Sequence, residues 1–187
     1  MLFHIRKLIL FLLAFQAKQA ADDKNFKPLQ ELTGADTLIE RQMAGMVTKD
    51  SDWQAMWREH KQIIGDLSNS AFVSADAPPK IDFKNNVVLV YFAGQTKGID
   101  GYEIVKVETK GKTDIVRIAP HFFPDSTILS NTYGMWIFPI PKKTVELQLL
   151  VDVINGQQQY RKVGEFQPPK VTQGKGAAQG SGSGQSG

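Results

Sequence analysis

Apolar residues recur along this chain at two different periods. Between residues 51 and 65 the period is helical: Trp53, Met56, Trp57, His60 and Ile64 fall at i, i+3, i+4, i+7 and i+11, one stripe on one face. Ser51-Asp52-Trp53-Gln54 has the form of a capping box, with Ser51 as N-cap and Gln54 reaching back to it, and Gly65 stands where a C-cap belongs. Asp52, Arg58, Glu59 and Lys61 occupy the opposite, polar face.

Elsewhere the pattern is that of strands. Residues 87–92 (Val-Val-Leu-Val-Tyr-Phe) form a continuous β-branched and aromatic run, the mark of a central strand buried on both faces. Residues 101–109 and 113–119 read as two strands joined through Lys110-Gly111-Lys112, a hairpin. Residues 135–140 are apolar, but Pro139 and Pro141 mark them as an edge strand or a strand exit. Val145, Leu147, Leu149, Val151 and Val153 alternate with Glu146, Gln148 and Asp152, and Leu150 breaks the pattern. Asn155-Gly156 then supplies a type I′ turn, and Gln157–Phe166 returns. A further strand is expected within residues 38–47.

These elements predict an α+β, β-rich fold. Its core is an antiparallel sheet, closed as a small sandwich or barrel-like unit, with one covering helix and Trp53 and Trp57 as the plug between them. The single folded domain is expected over residues 38–166. Residues 21–37 are polar and mixed and read as a linker or irregular arm. Residues 167–187 are rich in Gly, Ser and Gln with almost no apolar content, so they read as a disordered tail. Residues 1–20 combine a basic start, an apolar run from Leu8 to Phe15 and a small-residue stretch, the pattern of a secretory signal peptide. That run is too short to span a bilayer, which takes about 20 residues. Cleavage after Ala20 or Ala21 would leave Lys18 or Gln19 where a small residue belongs, so an uncleaved anchor stays open. The expected location is bacterial-type export, periplasmic or secreted.

Composition narrows the chemistry. The chain has 187 residues and no Cys, which removes disulfides, thiolate metal sites, cysteine nucleophiles and a lipid anchor on cysteine. Its formal charge is +3, but Arg6, Lys7 and Lys18 account for all of it. The segment 21–166 is slightly acidic, and its longest basic run is Lys142-Lys143, so a phosphate-displacing nucleic-acid face is not expected. The histidines are His4, His60 and His121, with no HExxH pattern, and neither a metal nor a cofactor is implied. His121, Asp125 and Ser126 could be imagined as a hydrolase triad, but there is no GxSxG, and Pro124-Asp125-Ser126 is good turn chemistry.

Two connections hold the candidate binding residues. One contributes Gly94, Thr96, Lys97, Gly98, Asp100, Gly101 and Tyr102, with the glycines permitting close backbone approach. The other, residues 120–134, contributes His121, Phe122, Phe123 and Tyr133 and also holds Ile128 and Leu129. It reads either as core packing on an open face or as an apolar ridge that docks a partner.

The helix with Trp53 and Trp57, Ile81-Asp82-Phe83 before the 87–92 strand, Gly94, then Gly101-Tyr102 and Ile104 to Val107, and finally Ile140-Pro141-Lys142, together resemble the PrcB C-terminal domain family over residues 46–143. Members often carry Thr-Gly-Gly-Tyr where this chain has Gly98-Ile99-Asp100-Gly101-Tyr102. The family takes its name from an accessory protein that associates with and stabilises a secreted bacterial protease complex. The resemblance implies an exported, non-enzymatic module with a protein partner, a protease or another envelope protein, and no catalytic residues. A cell-envelope or carbohydrate-binding structural protein is the alternative, and a small hydrolase relying on His121 a third reading.

Overall fold

The computed structural model describes residues 26–61, 77–122 and 128–170. The proposed signal peptide, Ile64, Gly65, Phe123, Asp125, Ser126 and residues 171–187 lie outside these. The described elements are β1 (Gln30–Gly34), β2 (Met43–Val47), α1 (Asp50–Lys61), β3 (Asn86–Lys97), β4 (Ile99–Lys110), β5 (Thr113–Phe122), β6 (Leu129–Pro139), β7 (Thr144–Ile154) and β8 (Gln157–Phe166). They build two four-stranded sheets, ordered β1-β6-β3-β2 and β4-β5-β7-β8. The fold is a β-rich α+β sandwich, not a closed barrel.

The layering follows from the side-chain period of a strand, which sends successive residues to opposite faces. In β3, Val87, Leu89 and Tyr91 point into the core between the sheets, while Val88, Val90 and Phe92 point to the other face. In β6, Trp136 and Phe138 go inward, and Tyr133, Met135 and Ile137 go outward. The second sheet meets the inward set with Tyr102, Val116, Ile118, Val145, Leu147 and Leu149. Helix α1 covers the outward set with Trp53, Met56 and Trp57. The continuous apolar run of β3 is thus the run of a strand covered on both sides.

Several expectations need correction. The helix begins at Asp50, and the Trp53 amide donates to the Lys49 carbonyl oxygen, so Ser51 is inside the first turn rather than at the cap. Ser51 Oγ donates to Asp52, and Gln54 Nε2 donates to Asp50. Residues 26–37 are part of the domain: Phe26 stacks on Phe138 with centroids 4.6 Å apart, and β1 pairs antiparallel with β6. Strand β6 is interior, between β1 and β3, and it starts at Leu129, so most of the expected long connection 120–134 is strand. Pro139 is its last residue, where a missing N–H costs little. Strands β5 and β7 pair in parallel, Thr113 opposite Thr144 through Ile118 opposite Leu149, because β6 crosses to the other sheet between them.

His60 sits under the helix with no exposed surface and with no hydrogen-bond partner on either ring nitrogen. Its ring stands edge-on to Trp57 and Tyr133, at 5.1 and 4.5 Å between centroids. Burial pushes its pKa down to about 4, the Lys61 charge adds to the shift, and Asp36 opposes it. The folded state therefore holds His60 neutral while the unfolded chain takes up a proton below about pH 6.5. Stability from this group is complete above that pH and falls as pH drops toward 4, by roughly 3 kcal/mol. Urea unfolding of the wild type and His60→Leu across this range should show the steeper acid loss in the wild type; parallel profiles would contradict the assignment.

Candidate functional site

Strand β3 leaves the first sheet at Lys97, turns at Gly98 (φ 67°), and enters the second sheet as β4 at Ile99. This corner and the far ends of β5 and β6 make one end of the sandwich. Ile99 pairs with Phe122, and Lys97 pairs with Leu129. Because β7 runs parallel to β5, the tip of the β7–β8 hairpin projects toward the same end. The paired register of β5 and β7 stops at Ile118, and Pro120, with no N–H to offer, follows two residues later.

The structure brings many of the sequence candidates to this end but gives them different tasks. A Cβ at Gly94 (φ 71°) would lie 2.4 Å from the Glu40 carbonyl oxygen, and one at Gly101 (φ 152°) would lie 2.1 Å from Thr33 Oγ1. The close approach these glycines permit is occupied by the chain itself. Thr33 Oγ1 accepts from the Tyr102 amide at 2.7 Å and donates to the Tyr133 carbonyl at 3.0 Å, joining β1 to both sheets. Thr96 Oγ1 lies 3.0 Å from Thr132 Oγ1, across the β3–β6 pair. Tyr102 and Tyr133 are buried core side chains, not surface anchors. Burial lifts both phenols to about 12, and the neighbouring Asp36 adds to the rise at Tyr133.

Lys97, His121 and Phe122 are exposed, and Asp100 is half-buried. His121 Nδ1 lies 2.6 Å from Asp100 Oδ1, so two candidates from separate connections meet. Their side chains are 64% and 41% exposed, a cross-strand pair in water rather than a sheltered acid–base couple. Among the described residues, no group of three or more His, Cys, Asp or Glu could hold a metal ion.

What distinguishes this end is apolar exposure. Of the nine large apolar side chains exposed among the described residues, Phe122, Ile128, Leu129, Val151, Val153 and Ile154 lie at the ends of β5, β6 and the β7–β8 hairpin. Phe122, Ile128 and Leu129 are 65%, 72% and 59% exposed. The hairpin residues escape sequence reasoning, because Val151 and Val153 continue the inward alternation of Val145, Leu147 and Leu149. Their exposure follows from register, since β7 pairs with β5 only as far as Leu149, which no local pattern shows.

The chain matches no protein-family model, no curated protein and no solved structure. Among the described residues, no helix is long and apolar enough to cross a membrane.

Gly101→Ala should destabilise the domain by about 2 kcal/mol or more, through strain at a positive φ and collision with Thr33. Denaturant midpoints measure this, and an unchanged midpoint would show that the Thr33 contact is dispensable.

Proposed function

We propose that this chain is an exported, non-enzymatic accessory module that binds a protein partner through the apolar end of its sandwich. The observation that carries the reading is the gathering of six exposed apolar side chains at one end, Phe122 and Leu129 among them. Exposed apolar side chains gathered in one region are a usual mark of a protein contact, and aromatic anchors dominate such contacts. The likeness to the PrcB C-terminal domain supports an exported protease or another envelope protein as the partner class.

Affinity capture from the native envelope extract tests this. Phe122→Ser with Leu129→Ser should remove the captured partner and leave the melting temperature within a few degrees, because exposed sites contribute little to stability. Leu29→Ser, exposed elsewhere on the surface, should leave capture intact. Undiminished capture by the double variant, or a fall of many degrees in its melting temperature, would overturn the site.

A further inference from the structure

We propose that the opposite end of the sandwich is a binding site for small amphiphilic anions, molecules with an apolar body ending in a phosphate or carboxylate. Two clefts meet there at Ile140. One, about 510 Å³, is lined by Phe26, Pro139, Ile140 and Pro141 together with Asp114, Lys142 and Lys143. The other, about 470 Å³, has Phe83, Val87 and Pro169 beside Ile140, with Lys49, Lys84 and Lys170 around it. Volumes of this order suit a small ligand.

Several of the charges elsewhere are paired. On the outer face of the second sheet, Lys106, Lys110 and Arg117 converge on Glu108, and Lys162 pairs with Glu165. Beside the helix, Arg41 pairs with Glu59, and Lys61 pairs with Asp36. None of Lys49, Lys84, Lys142, Lys143 and Lys170 makes an ion pair among the described residues. The acids near this end are held in contacts other than ion pairs with these lysines. Asp114 is buried and accepts from Thr109 Oγ1 at 2.5 Å. Asp82 accepts from the Lys84 amide and from Asn85 Nδ2. Asp50 and Asp52 sit in the first turn of α1, where they complement the helix dipole.

Five lysines without ion pairs outnumber Asp50, Asp52, Asp82 and Asp114 at this end, and an incoming anion offsets the excess positive charge. The apolar floor adds selectivity. A bare phosphate would meet the lysines and leave Phe26, Ile140 and Phe83 uncovered, whereas an alkyl phosphate covers them and gains burial. The ammonium rim suits phosphate and carboxylate alike, since lysine acts on both as a point charge.

The test is isothermal titration of the full chain with octyl phosphate below its micelle concentration, alongside inorganic phosphate and octanol. Octyl phosphate should bind at least tenfold more tightly than either. Lys84→Glu with Lys142→Glu should weaken it at least tenfold with the melting temperature unchanged. Equal binding of inorganic and octyl phosphate, no heat at millimolar octyl phosphate, or an unaffected double variant would overturn the proposal. Sedimentation with phosphatidylglycerol vesicles, competed by octyl phosphate, would identify a lipid as the source of the anion. Octyl phosphate binding without sedimentation would identify a free amphiphile, and sedimentation without octyl phosphate binding would count against the site.

Discussion

Two strands covered on both faces hold this protein together. Strands β3 and β6 lie at the centre of the first sheet, and each sends one set of side chains to the second sheet and the alternate set to helix α1. Removing either cover would expose a full apolar face, so the helix and the second sheet are bound to each other through a sheet that neither can leave. Trp136 shows how closely the inner layer is fitted: a Cβ at Gly134 would lie 2.4 Å from its ring atoms. Gly134 is therefore a space-maker for the largest side chain of β6, in an interior packed as densely as an organic crystal.

The second sheet has a different problem, because its outer face is open to water. There the strand register turns side chains into rows of charge. Lys106 stands opposite Arg117, Arg117 opposite Gln148, and Gln148 opposite Lys162. The adjoining row runs from Glu108 through Ile115 and Glu146 to Glu165. Basic and acidic rows side by side give Glu108 its contacts with Arg117, at 2.8 Å, and with Lys106, at 2.7 Å. Arg117 also lies over the Tyr160 ring at 4.8 Å. Each exposed pair is weak alone, but together they cover the part of the face around Glu108 with paired charge.

Legibility in the sequence followed how many side chains of an element face the core. The helix stripe and the β3 run were readable because nearly every informative residue is buried. Strand β1 was not, since QELTG offers the core only Leu32 and pairs at an edge. The first half of β6 was hidden by Ser130, Asn131 and Thr132, which look like loop residues. Thr132 and Ser130 instead satisfy each other's surroundings through Thr96 and the Ile99 carbonyl. The glycines of residues 94–101 were legible as special backbone positions, but not as places where Glu40 and Thr33 close in, because those contacts come from distant sequence. The parallel pairing of β5 and β7 depends on β6 crossing to the other sheet, which no local pattern encodes.

These constraints decide where the molecule can meet anything else. One outer face lies under α1 and the other is crossed by paired charge. The edges are guarded too: β1 and β2 are five residues each, β4 is bulged in two places, and β8 carries Arg161 and Lys162. Only the ends remain, and they differ in chemistry. One gathers apolar side chains around Phe122 and Leu129, and the other gathers unpaired lysines over an apolar floor around Ile140. Strand β3 runs from one to the other, roughly 35–40 Å at the usual rise per residue. Over that distance, several Debye lengths at physiological salt, surface charge at one end is screened from the other. The two poles can therefore engage different ligands without electrostatic conflict, and any coupling between them has to pass through the packed β3–β6 layer.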